Sequence, residues 1–464
     1  MLKRLAHISL TSGWLPATIF LLTLALLLAL VAMRMFARQW KPLLKDLLDG
    51  IIGGVVGLLA AWLVSDVFML FGVSLGWMVI LTVAAGFALV TFAIADLIRH
   101  HGRKRLLAGI TALLVLLSTG LRIDMIYGEF TTLGSLFSVP LYPKLPEDET
   151  RKPPMTVAQW RQKAQTGQLP SVPDKGRSYS VAIPGTISGF HARSADVYLP
   201  PASLSENPPR LPVFILLAGQ PGSPDRLFTA VNIPKIMNTY AAGHHGLAPI
   251  VVSPDQNGAS NHNSLCVDSP VYGNAETYLT KDVPDWIKAH LPVSPDPHMW
   301  AIGGFSQGGT CSTQLAPRHP DVYGNMIPSA GEEEPKQGKK EDMIRDYFGS
   351  DRRKFLEQVP ANAIRAHAPS DQTLFASAGA RDPQSQKNMA TIAKAAREAG
   401  MTVRTVVAQG SGHDWHTVKT GWLPAFDWLG ERMGLGPMPK SLDQYKNMTL
   451  TDADGLGGGK TIRE

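Results

Sequence analysis

The sequence predicts two folds in one chain: an all-α transmembrane domain of four helices, then an α/β domain whose mostly parallel sheet is covered by helices. Three observations carry this prediction. Residues 13–125 are strongly apolar and contain four segments of membrane-spanning character. The rest has ordinary globular composition and alternates short apolar runs with helix-periodic stretches. One run ends in Gly304-Phe305-Ser306-Gln307-Gly308-Gly309, a G-x-S-x-G pattern between strand and helix.

The four apolar segments are residues 14–33, 51–71, 75–97 and 106–121, the last being the shortest. Crossing the hydrocarbon takes about 20 residues of helix. The first segment is too long and leucine-rich for a signal-peptide core, and further spans follow it. The first connection carries Arg34, Arg38, Lys41 and Lys45; the third carries Arg99, Arg103, Lys104 and Arg105. The second, around residues 72–74, is short and uncharged. Positive-inside orientation puts the two basic connections in the cytoplasm and everything after the fourth span outside. Lys3 and Arg4 argue weakly the other way. Asp66 and Asp96, near segment ends, read as interfacial residues in preference to a polar pathway. Gly50, Gly53, Gly54 and Gly57 have the spacing of close helix packing. No periodic charge pattern points to a transporter. The bundle (residues 1–125) reads as a membrane anchor.

Residues 126–177 are rich in proline and charge and read as a spacer, with a short helix at 156–165. The α/β domain is expected over 178–435. It opens with a hairpin at 178–199. Residues 211–217 are continuously apolar, as a strand buried on both faces should be. Further strands are expected at 249–253, 299–305, 322–329, 373–378 and 403–408. Helices are expected at 231–242, 277–290, 307–318, 385–399 and 415–433. The polar segment 331–370 falls where a cap could cover an acyl chain. Residues 436–464, rich in Gly, Lys and Asp, read as a disordered tail.

The order of chemical groups gives the site. Ser306 occupies a tight strand-to-helix turn that crowds its neighbours, so glycine is needed at 304, 308 and 309. The turn pushes the hydroxyl out at the carboxyl end of the sheet. Asp382 follows the strand at 373–378, and His413 follows the last strand in Gly410-Ser411-Gly412-His413-Asp414-Trp415-His416. Serine, acid, histidine in that order make a nucleophile, an orienting carboxylate and a general base. Oxyanion donors would be the backbone N–H groups of Gln307 and of Gln220; Pro221 has none to give. The rivals are His416 for His413, and Glu332, Glu333 and Glu334 for Asp382. Topology favours Asp382, and the glycines before His413 suit a tight loop. Asp414 reads as solvent-facing or bonded to a local N–H. Asp268 either lines the pocket or caps a turn.

Residues 178–435 resemble the putative-esterase family of α/β-hydrolases, which includes esterase-D-like enzymes and mycolyltransferases. Leu216-Leu217-Ala218-Gly219-Gln220, Asn274-Ala275-Glu276-Thr277-Tyr278-Leu279, the serine turn and Gly412-His413-Asp414-Trp415 carry the resemblance. Ala218 departs from it, since many relatives carry His or Asp there, which puts the support of the oxyanion loop in question. The resemblance implies ester hydrolysis or acyl transfer through an acyl-serine, without cofactor. Domains of this kind joined to multi-span anchors look like enzymes of envelope lipids, hydrolases of aminoacylated phospholipids among them.

Cys266 and Cys311 are the chain's two cysteines. In an external domain they permit a disulfide tying a substrate-side loop to the helix after Ser306; the alternative is two buried thiols. No zinc-ligand pattern is present, and the net charge of +6 does not point to nucleic acid. The expected partners are membrane lipids and an amphiphilic ester. Three functions compete: an outward-facing ester hydrolase, an acyltransferase of mycolyltransferase type, and a non-catalytic membrane scaffold on a hydrolase fold. The first two differ in whether water reaches the acyl-enzyme. Loss of a triad residue would favour the third, and none is missing.

Overall fold

The computed structural model describes residues 5–68, 75–137, 139–146 and 155–451. It divides into two compact units, Met1–Val139 and Pro140–Glu464. The first contains four helices long and apolar enough to cross a membrane. They are α1 (Trp14–Phe36), α2 (Trp40–Trp62, continued by one π turn to Val67), α3 (Trp77–Arg99) and α4 (Arg103–Tyr127). The fourth, expected to be shortest, runs 25 residues. The second connection lies outside the described residues.

The glycines of α2 let α3 approach closely. A Cβ at Gly57 would lie 2.6 Å from the Phe87 Cβ, and one at Gly50 would lie 3.0 Å from the Ala88 carbonyl oxygen. Asp96, expected near a segment end, lies in the last turn of α3. Asp96 is buried, accepts from Arg34 Nε at 2.9 Å and lies 2.9 Å from His100 Nδ1. Arg34 also pairs with buried Asp46 at 3.0 Å, and Arg99 pairs with Asp46 and Asp49. Arg34 is therefore a buried helix residue and no part of a solvated connection. An uncompensated charge there would be expensive, so each is paired.

The second unit is built on a nine-stranded sheet among the described residues. Its strands are β1 (Arg177–Val181), β2 (Ala195–Leu199), β3 (Val213–Leu217), β4 (Ile250–Ser253), β5 (Trp300–Phe305), β6 (Asn325–Ser329), β7 (Thr373–Gly379), β8 (Thr402–Ala408) and β9 (Met448–Leu450). The spatial order is β1-β2-β4-β3-β5-β6-β7-β8-β9. β4 through β8 in that order pair in parallel; β1, β2 and β9 add antiparallel edges. β3 and β5 are buried along their whole length, which is why they read as unbroken apolar runs. This is the doubly covered sheet of an α/β-hydrolase.

Two expectations fail at the margins. The spacer expected across 126–177 is not free chain over the described residues 140–146 and 155–177. Its helix α5 (Val157–Gln165) buries Trp160, whose indole N–H donates to the His245 carbonyl at 3.0 Å. Lys144 and Met155 form isolated bridges with Ser180 and Pro209. The tail expected to be disordered from 436 contributes β9, which pairs Val406–Ala408 of β8 with Met448–Leu450. Met448 and Tyr445 are buried, and that burial offsets the ordering cost. Residues 452–464 lie outside the described residues.

The longer helices of this unit are α6 (Ile233–Gly243), α7 (Val283–His290), α8 (Gln307–Arg318), then α9 (Lys340–Phe348), α10 (Arg352–Gln358) and α11 (Pro360–Ala366) in the cap segment, then α12 (Pro383–Glu398) and α13 (Trp415–Arg432). α9 and α10 share a small core of their own with Leu265 and Val267.

Candidate active site

The turn between β5 and α8 holds Ser306 at φ 55°, ψ −116°, in the left-handed half of backbone space that non-glycine residues rarely occupy. Its neighbours leave no room for side chains. A Cβ at Gly304 would stand 2.6 Å from the Gly308 oxygen, and one at Gly308 would stand 2.5 Å from the Ala218 oxygen. The strain lifts the Ser306 hydroxyl clear of the sheet.

Ser306 Oγ lies 2.8 Å from His413 Nε2, and His413 Nδ1 lies 2.7 Å from Asp382 Oδ2. Ser306 as donor to Nε2 requires the proton on Nδ1, which then donates to the carboxylate. The two loops bearing His413 and Asp382 are stitched together: Arg381 N–H donates to the Ser411 carbonyl at 2.9 Å. Asp382 also caps α12, its Oδ1 accepting from Ser385 N–H at 3.0 Å. Burial pushes the Asp382 carboxyl up, but the hydrogen bonds from His413 and Ser385 outweigh it and hold it below the usual carboxylate range. Phe305 packs its ring 5.0 Å from the His413 ring and 4.8 Å from Trp415.

The rival groups go elsewhere. His416 is exposed. Asp414 caps α13, accepting from the His416 and Thr417 N–H groups, and takes the Gly412 N–H at 2.8 Å. Glu333 is exposed, and Glu334 pairs with Lys340 at 2.6 Å. Glu332 is half-buried on the loop after β6, and its N–H donates to Thr310 Oγ1. Burial pushes its carboxyl up, opposed by Lys336 and His413. Asp268 caps a turn, accepting from Thr277.

The Gln307 N–H is the first of α8, and the Gln220 N–H sits on the loop after β3. Neither donates to another described group. That loop runs against Ser306: a Cβ at Gly219 would lie 3.6 Å from the Ser306 Cβ. The loop is pinned without the His or Asp that Ala218 replaces. Gln256 Nε2 donates to the Ala218 carbonyl at 2.7 Å, the Gly222 N–H donates to the Ser260 carbonyl, and Arg193 donates to the Gly222 carbonyl at 3.1 Å. Arg193 is itself gripped by buried Asp255 at 2.7 Å. Cys266 and Cys311 form a disulfide joining the loop after β4 to α8. Sequence reasoning missed Arg193, Asp255 and Gln256. The polar run Asp255-Gln256-Asn257, directly after an apolar parallel strand, was the available signal. Among the described residues no group of three or more His, Cys, Asp or Glu side chains could hold a metal ion.

A family model described as putative esterase matches residues 191–428. An uncharacterized protein of Corynebacterium glutamicum is 31% identical over 360 residues, which is 76% of this chain and 82% of that protein. Among solved structures, a ferulic acid esterase is similar with a TM-score of 0.47 at 18% identity, covering 56% of this chain and 98% of its own. An S-formylglutathione hydrolase from Agrobacterium tumefaciens has a TM-score of 0.47 at 18% identity, covering 57% and 99%.

Proposed function

The chain belongs to the putative-esterase family, and on that premise we propose that it is a membrane-anchored serine ester hydrolase whose nucleophile is Ser306. The observation that carries the proposal is the continuous hydrogen-bonded chain from Ser306 through His413 to Asp382. Ser306 attacks the acyl carbon while His413 takes its proton. The carbonyl oxygen becomes an oxyanion, for which the Gln307 and Gln220 N–H groups are available. His413 returns the proton to the leaving alcohol, and acyl-Ser306 remains. Water, deprotonated by the same histidine, then releases the acid. Asp382 keeps the imidazole in the productive tautomer and stabilises imidazolium.

The substrate is an amphiphilic ester of the outer side of the membrane. Four apolar helices tether the domain to a bilayer. Arg38 between α1 and α2, Lys41 and Lys45 at the start of α2, and Arg103, Lys104 and Arg105 at the start of α4 favour a cytoplasmic placement of those two helix ends, and hence an external catalytic domain. The disulfide fits an oxidising compartment. Aminoacylated phospholipids are the first esters to try, because their scissile bond lies at headgroup level.

The test is labelling of the detergent-solubilised protein with a fluorophosphonate probe, beside Ser306→Ala and His413→Ala. Labelling of the wild type and of neither variant is expected. A folded wild type that does not label would overturn the reading and favour a scaffold role. Comparison of membrane lipids with and without active enzyme then identifies the ester.

A further inference from the structure

Behind the nucleophile lies a cluster of side-chain amides that the triad does not use. The Gln307 amide oxygen accepts from Asn257 Nδ2 at 3.0 Å and from Gln256 Nε2 at 3.2 Å. Its amide nitrogen donates to Asn257 Oδ1 and to Asn263 Oδ1, both at 2.9 Å. Gln256, Asn257, Asn263 and Gln307 are 2%, 1%, 5% and 7% exposed, so water does not compete for these bonds. Gln256 Nε2 also donates to the Ala218 carbonyl at 2.7 Å. One amide group therefore touches both arms of the oxyanion pair: the side chain of Gln307 on one side, and the loop presenting Gln220 on the other.

Burying four amides costs desolvation that an apolar filler would avoid, and their hydrogen bonds to one another and to nearby acceptors convert that cost into rigidity. Rigidity matters most here. Two N–H donors stabilise an oxyanion only when both are held about 2.7–3.1 Å from it before the charge develops. The cluster also reaches the cap: Tyr347 Oη donates to the Asn263 carbonyl at 2.7 Å, and Asn263 Nδ2 donates to the Lys336 carbonyl at 3.1 Å.

We infer that Gln256 and Asn257 are positioning residues of the oxyanion hole. They brace the Gln307 side chain against the Ala218 carbonyl and so fix the separation of the Gln307 and Gln220 N–H groups. The inference rests on the serine-hydrolase reading above. It supplies the loop support that Ala218 itself cannot.

The experiment uses the full chain in detergent, with p-nitrophenyl butyrate as substrate and phenylboronic acid as a mimic of the tetrahedral intermediate. Gln256→Met keeps the side-chain length and removes the donor. It should lower kcat by about 10- to 100-fold, less than deletion of an oxyanion donor, and leave KM within about twofold. Boronate affinity should weaken by the same factor as kcat. The control is Gln314→Met. Gln314 is another buried amide of α8, bonded to the Leu265 carbonyl at 2.7 Å but to neither oxyanion arm. It should lower Tm at least as much as Gln256→Met and leave kcat and boronate affinity unchanged. If Gln256→Met does not fold, Asn257→Ser carries the same test. Unchanged kcat and boronate affinity would overturn the inference, as would parallel losses of Tm and kcat in Gln256→Met and Gln314→Met. Failure of the wild type to label with fluorophosphonate would instead overturn the serine-hydrolase reading, and the brace with it.

Discussion

His413 is held from three directions, by Ser306 Oγ, by Asp382 Oδ2 and by the Phe305 ring. The carboxylate, an acceptor only, favours the proton on Nδ1, which Ser385 Oγ also approaches at 3.4 Å. Asp382→Asn should therefore lower kcat by about 10³- to 10⁴-fold with little change in folding, because an amide can donate to Nδ1 and stabilise the wrong tautomer. Glu333→Gln, on an exposed side chain without a triad contact, should stay close to wild type. Steady-state kinetics on the two purified variants measures the contrast, and equal losses would remove Asp382 from the triad. This part of the site was legible in the sequence because it is written locally: glycines that a crowded turn demands, and polar groups just past apolar strands. The amide cluster was not legible. Gln307 and its partners Gln256, Asn257 and Asn263 are more than 40 residues apart, and nothing in either segment signals the other.

At the level of elements, two devices invite measurement. On β2, Asp196 is 4% exposed and accepts from Ser180 Oγ at 2.6 Å. Burial, with the nearby Asp225 charge, raises its carboxyl from 3.8 to about 7 against the Ser180 hydrogen bond. The folded protein thus binds this proton more tightly than the unfolded chain. Its contribution to stability is fully present below about pH 4, falls as pH rises, and is lost above about pH 7. Asp196→Asn should flatten the decline in Tm between about pH 4 and 7; parallel curves for variant and wild type would show that Asp196 is not its source. The second device is the bridge from the loop after β4 to α8, with a sequence separation of 45. Paired replacement, Cys266→Ser with Cys311→Ser, should cost about 4 kcal/mol by loop entropy, seen as a lowered Tm that dithiothreitol reproduces in the wild type. Strands and helices with strong periodicity were readable in order. β9 was not, because three residues at a sheet edge carry no period. The small core of α9 and α10 was hidden for a related reason: its apolar partners, Leu265 and Val267, lie far back in the chain.

For the whole molecule, the decisive variable is the side of the membrane on which the second unit lies. In sealed right-side-out vesicles, added protease should cleave within residues 140–451 and spare the basic connections. Cleavage there only in inverted vesicles would put the domain in the cytoplasm and exclude outer-leaflet lipids as substrates. The anchor carries its own instruction about assembly. Arg34 ends α1, Asp46 begins α2, and Asp96 and Arg99 end α3, so their charges are satisfied only when three helices stand together. The α1–α2 hairpin alone can pair Arg34 with Asp46, but the full set closes only with α3. A chain ending after α2 would lack Asp96 and Arg99 from that set.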